Sequence, residues 1–292
     1  MRTFGTKRKT DGHRDSQGEG TLTGRLVIVT GASSGIGYGA TRRLAQMEGA
    51  RVVAVARRRV FRIEALAAQV RDQTGEDRIF PLTTDMADRA QAEAVVRQVE
   101  EQFGRLDGFV HAVNRALKLG ALEVSDHEFD LTMQVNVKSA LYGVQAVAPA
   151  LRRLGAGGIV IYNPTPRETA EFVASEAVYT AAAHALSALT AGWTRQLDGS
   201  GVSVREVAPS PDGEGMDTLP GRAGAAHDAL LIAALREALA PQAAARPVPP
   251  RTPLLSFLQP QEPRPPQESR PPQEPRQPQI LRSHGGLVLK EF

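Results

Sequence analysis

Cysteine is absent from the 292-residue chain. Neither a disulfide framework nor a thiolate metal site can form, and nothing argues for an oxidising compartment, so a cytoplasmic location is expected. No stretch approaches the roughly eighteen apolar residues of a membrane span. The first twenty residues, with Lys7-Arg8-Lys9 ahead of Asp11, Asp15 and Glu19, also lack the apolar segment of an export signal. The body of the chain has no basic excess either. Of the formal net charge of +3, residues 1–20 carry five Lys/Arg against three acids and residues 242–292 carry seven against four, which leaves −2 for the middle. That balance excludes a basic nucleic-acid platform. The central part shows no metal-ligand constellation, so no metal is expected.

What is present is enough apolar sequence, 41%, for one sizeable α/β domain. The boundaries expected are a disordered arm over 1–23, a domain over 24–241, and a largely disordered tail over 242–292. In the tail, Pro260-Gln261-Glu262-Pro263-Arg264-Pro265 is followed by two related six-residue units. It cannot build a core, and polyproline II geometry would extend those three units over roughly 55 Å. Gly286 to Leu289 could supply a strand at a sheet edge.

Between the tails, strand-like and helix-like segments alternate at the spacing of βαβ units, which predicts a parallel sheet covered by helices on both faces. Strands are expected at 26–29, 51–56, 78–82, 108–113 and 201–208, and helices at 37–47, 60–74, 89–103, 131–154, 174–197 and 225–240. The first strand runs into Thr30-Gly31-Ala32-Ser33-Ser34-Gly35-Ile36-Gly37. Gly31 permits a tight turn, and Gly35 and Gly37 allow backbone to approach a phosphate near a helix N-terminus. A dinucleotide site is the natural inference, although an ordinary strand-to-helix loop also uses glycines. At the end of the second strand Ala56 stands where an acid would bind a free ribose, and Arg57-Arg58-Arg59 follows. That favours NADP(H) over NAD(H), with Arg57 as the selector, unless the arginines are only a solvated helix start. Asp85, past the third strand, is placed to accept from an adenine amino group, and Asp88 to cap a helix.

These landmarks and their order resemble the classical short-chain dehydrogenase/reductase family over residues 24–222. The resemblance implies a doubly wound Rossmann-type fold, with Gly31, Ser33, Ser34, Gly35, Ile36 and Gly37 around the cofactor and Asp85 with Met86 at its adenine. His111, in His111-Ala112-Val113-Asn114 where the family usually has Asn-Asn-Ala-Gly, falls beside the nicotinamide ribose. Asn136 matches the family's catalytic asparagine and Tyr179 its catalytic tyrosine. A helix cap and a core tyrosine are the ordinary alternatives for these two residues.

The departures concern chemistry. Near the family's serine position this chain reads Asn163-Pro164-Thr165-Pro166, so only Thr165 offers a hydroxyl. The family's lysine lies one helical turn after the tyrosine, and position 183 is alanine. Without that ammonium a phenol of pKa near 10 is ionised in only about one molecule in a thousand at pH 7. His184 is rotated about 100° away around the helix.

Two functions follow from the resemblance. One is an NADP(H)-binding oxidoreductase of a biosynthetic pathway, acting on a small carbonyl or hydroxyl substrate. It would be a weakened carbonyl reductase or would catalyse a non-redox cyclisation, dehydration or isomerisation through Tyr179, with Asn136 and His111. The other is a pseudoenzyme that stabilises an active partner. Family-type oligomers, with itself or a related subunit, would form through Leu141, Val144, Val147, Ala181, Leu186 and Leu189. The segment from Pro211 to Gly224 is expected to be a substrate loop.

Overall fold

A computed structural model describes residues 22–164, 176–208 and 223–240, with the side chains of 223–227 excepted. All of these belong to the first of the chain's two units, residues 1–257. Thr165, the substrate loop, the tail and the 286–289 strand lie outside the described residues, apart from the start of the last helix.

Six parallel strands form one sheet in the order β3-β2-β1-β4-β5-β6. They are β1 (Leu26–Thr30), β2 (Arg51–Ala56), β3 (Ile79–Thr83), β4 (Gly108–His111), β5 (Gly157–Tyr162) and β6 (Val202–Val207). Every residue of β1, β4 and β5 is buried, which is why these segments read as continuous apolar runs rather than as alternations. Helices α1 (Gly35–Gln46), α2 (Phe61–Thr74) and α7 (Ala223–Leu239) cover one face, where Val27, Val29, Leu44, Ile63 and Leu231 share a core. On the other face α3 (Arg89–Phe103), α5 (Ser139–Leu154) and α6 (Ala177–Gln196) pack over Ile28, Phe109 and Ile161.

Several boundaries differ from those the residue pattern suggests. The fold already includes Leu22, which is buried and donates its N–H to the Glu48 carbonyl at 3.1 Å, so the arm does not extend to residue 23. The long segment expected as a helix over 131–154 starts earlier and is interrupted. α4 (Asp126–Met133) begins at a capping box in which Ser125 and Glu128 each bond the other's backbone N–H. A π-helical turn, Gln134–Lys138, then separates α4 from α5. Asp88 caps α3 as its position suggests, accepting from the Gln91 N–H at 3.0 Å.

The expected oligomer residues divide in a similar way. Val144, Val147 and Leu186 are at most 3% exposed and belong to the monomer's own core. Leu141 and Leu189 pack half-buried against that core, and Ala181 alone is exposed. None of the described helices is long and apolar enough to cross a membrane.

Candidate active site

A cleft of about 1280 Å³ lies at the carboxyl ends of the strands, where open parallel sheets bind ligands. Gly31, Ser33, Ser34, Gly35, Ile36, Arg57, Asp85 and Met86 all line it. The glycines of the first turn have separate tasks. Gly31 has φ +71°, and a Cβ there would stand 2.6 Å from the Ala112 carbonyl oxygen, so the turn can pass β4 only without a side chain. Gly37 does not line the cleft. A Cβ on it would meet the Gly31 carbonyl at 2.5 Å, so it holds helix against turn. Gly35 faces open space. Ser34, the residue before α1, makes no side-chain capping bond, and the N–H groups of the first helical turn have no partner within the helix. Backbone donors at a helix N-terminus that its N-cap side chain leaves unbonded fit the pyrophosphate of a dinucleotide.

Arg42, Arg57, Arg58, Arg59 and Arg62 line the same end of the cleft. Arg57 donates to Asp85 at 3.1 Å, and Arg62 lies over the Tyr38 ring at 5.4 Å. The second oxygen of Asp85 accepts from the Ala87 N–H at 2.9 Å. Asp85 therefore ties Arg57 to the loop that follows β3. Arg59 is the only non-glycine with a left-handed backbone among the described residues, at φ +57°.

The other end is organised around Tyr179, but not as the sequence pattern suggests. Tyr179 is 2% exposed and does not line the cleft. Its hydroxyl donates to Asn114 Oδ1 at 3.0 Å and also lies 3.3 Å from the Pro164 carbonyl oxygen. Burial pushes the phenol up to about 12 and Glu176 adds to the rise, while the Asn114 bond acts in the opposite direction. Asn114 was visible in the sequence only as the last of His111-Ala112-Val113-Asn114. Its partnership with Tyr179 is the feature that reading missed.

Ala183 is buried, with its carbonyl accepting from Asn163 Nδ2 at 3.0 Å. Its side chain offers no ammonium one turn after Tyr179, and the next residue, His184, is exposed. Tyr162, at the end of β5, is a cleft-lining phenol instead. Burial, with Tyr179 nearby, holds it strongly toward its neutral form.

His111 is also placed differently from the expectation. It is fully buried and absent from the cleft wall. The β1/β4 register sets it opposite Thr30, whose hydroxyl lies 3.0 Å from Nδ1, and the Ser139 hydroxyl lies 3.4 Å from Nε2. Strand alternation turns it to the α5 face together with Phe109, and burial lowers its pKa to about 3. It is a neutral strut behind the wall, and Ser139 is the member of that chain which lines the cleft.

Asn136 sits inside the π-helical turn, so it is not a helix cap. Its carboxamide clamps the backbone of Arg115 from both sides, with Oδ1 accepting from the N–H at 2.7 Å and Nδ2 donating to the carbonyl at 2.9 Å. Asn136 and Asn114 thus fix the loop leaving β4 at two points. Among the described residues no group of three or more His, Cys, Asp or Glu is placed to hold a metal.

A glycine-rich β1–α1 turn, a 3-2-1-4-5-6 parallel sheet and a cleft across its carboxyl ends define the doubly wound nucleotide-binding class. The family model for short chain dehydrogenase matches residues 25–217, and the chain belongs to that family. An uncharacterised oxidoreductase of Staphylococcus aureus (strain MW2) is 29% identical over 188 residues, 64% of this chain and 78% of the relative. One from Staphylococcus haemolyticus is 30% identical over 190 residues, with the same coverage. Among solved structures, a metagenomic short-chain oxidoreductase in complex with NADP is similar at a TM-score of 0.64 and 26% identity, covering 73% of this chain and 90% of that one. A short chain dehydrogenase from Mycobacterium smegmatis gives a TM-score of 0.63 and 28% identity, over 73% and 88% of the two chains.

Proposed function

We propose that this chain binds NADP(H) and acts on a small carbonyl or hydroxyl compound as a weakened carbonyl reductase. The observation that supports this reading is the contrast along one cleft. The glycine turn and five arginines are in place for a phosphorylated dinucleotide, while the Tyr179 hydroxyl is bonded to Asn114 and Pro164. When bound, NADP(H) supplies or accepts the hydride. Burial raises the Tyr179 pKa to about 12, which favours the neutral phenol and suits it to donating a proton rather than to acting as a base. A substrate oxygen reaches it only by displacing Asn114 Oδ1 or the Pro164 carbonyl, and alanine at 183 brings no cation one helical turn from the phenol. Both features slow reduction and weigh still more against oxidation, which needs the phenolate.

A second reading, in which the chain keeps the cofactor and supports an active partner subunit, is favoured by the same closed hydroxyl. A non-redox step through Tyr179 meets the same obstacle. Titration with NADPH, NADP, NADH and NAD, followed by a carbonyl screen on wild type and Tyr179→Phe, separates these readings. Tight binding of the phosphorylated pair with slow, Tyr179-dependent turnover is the expected result. Binding without turnover moves the assignment to the partner role, and no binding of any of the four sinks both.

A further inference from the structure

The cleft is lined by six arginines, and one of them stands apart. Arg42, Arg57, Arg58, Arg59 and Arg62 come from α1, the β2–α2 connection and the first turn of α2, whereas Arg115 comes from the loop after β4 and lines the reacting end with Asn114, Leu131, Val135 and Ser139. Its position is held by three bonds. Asn136 fixes its N–H and carbonyl, and the Thr132 hydroxyl accepts from guanidinium Nη1 at 3.1 Å. Thr132 is itself fully buried and donates to the Glu128 carbonyl at 2.7 Å. It has therefore spent its only proton and can serve Arg115 only as an acceptor.

Arg57 has the Asp85 carboxylate beside it, whereas no carboxylate among the described residues pairs with Arg115. A half-buried guanidinium with one of its five N–H donors engaged by a neutral hydroxyl keeps both charge and hydrogen-bonding capacity for a ligand. Its planar fork matches a carboxylate or a phosphate. The apolar side chains of Leu131 and Val135 beside it suit a short carbon skeleton.

From this arrangement we propose that the compound taken at the reacting end carries an anionic group, a carboxylate or a phosphate ester, and that Arg115 binds it. The proposal rests on the cleft being the cofactor and substrate site. Arg115 acts as a specificity-determining residue, and Asn136 as the residue that positions it.

The test uses two matched pairs of probes, acetoacetate with methyl acetoacetate and dihydroxyacetone phosphate with dihydroxyacetone. Each is titrated against the full chain with NADPH bound, reading cofactor fluorescence, and against the cofactor-free chain by calorimetry. The charged member of at least one pair should bind about 10- to 100-fold more tightly than its neutral analogue. Arg115→Met should abolish that preference and leave NADPH affinity unchanged within about twofold, while Arg115→Lys should restore part of it. The pair that discriminates identifies the anion as carboxylate or phosphate. Equal binding within both pairs, or a preference that survives in Arg115→Met, overturns the proposal. If NADPH fails to bind but the anion preference is present and requires Arg115, the cofactor reading falls and the Arg115 assignment stands.

Discussion

The two ends of the cleft depend on the sequence in different ways. At the β1–β3 end, the cleft is lined by a glycine turn with open main-chain donors and by several arginines. At the β4–β5 end, single side chains stand in particular places: position 183 is alanine, and Asn114 takes the Tyr179 hydroxyl proton. Recognition built on backbone and repeated charge tolerates substitution, whereas proton transfer built on one hydroxyl and one ammonium does not. A family member can therefore keep its cofactor cradle after its chemistry has weakened.

The most severe way to break the contrast is at the turn itself. Gly31→Val adds a branched side chain at φ +71° against the Ala112 carbonyl, and should cost about 3 kcal/mol or more, read as a fall in the thermal unfolding midpoint. Next, Arg57→Ala with Arg58→Ala should weaken NADPH binding by about 10- to 100-fold with little change for NADH, since charge-assisted bonds to phosphate are lost. An equal effect on both cofactors would remove Arg57 as selector.

At the other end the contrast can be repaired. Asn114→Gly removes the tie on the Tyr179 hydroxyl, and Ala183→Lys returns a cation to its helix face. Together they should raise carbonyl turnover by about tenfold, roughly 1.4 kcal/mol in the barrier. Either change alone should do less, and no gain in the double variant would show that the Pro164 neighbourhood also blocks the site.

The smallest effect is expected at His111. Its folded pKa lies below its unfolded value, so its contribution to stability is complete above about pH 6.5 and is lost as pH falls toward 3. Urea unfolding of wild type and His111→Asn should show wild type losing about 1 kcal/mol more than the variant on going from pH 7 to 5.5. Parallel pH profiles would mean that the imidazole is not the buried neutral strut described.

Legibility in the sequence followed the range of the interactions. The bounds of β2 and α3 come directly from periodicity and caps, because a buried apolar run and a Gly104 C-cap are local signals. The helix start at Ser125 was equally readable, since Ser-x-x-Glu is a capping signature. It lay hidden behind the long apolar segment that follows it. Tyr179 and Asn114 are 65 residues apart, and nothing local tells that one hydroxyl will be spent on the other. His111 was misplaced for a related reason. A residue at a strand end lies near the cleft, but the face it takes depends on the pleat and on pairing with Thr30. Asn136 was found by motif, whereas its grip on Arg115 depends on a π-helical turn with no compositional marker.

The central position of β1 affects the order in which the chain can assemble. Its neighbours are β2, the next strand in the chain, and β4, whose His111 pairs with Thr30 across 81 positions. During synthesis one edge of β1 stays open until residues 108–111 have emerged, and closing that long loop is entropically costly and slow. The cradle is the first part of the site to be translated, yet the Ala112 carbonyl that hems in Gly31 arrives only with β4. A nascent chain halted before β4 would therefore expose a bare apolar strand edge, making that interval the one most open to aggregation and to chaperone capture.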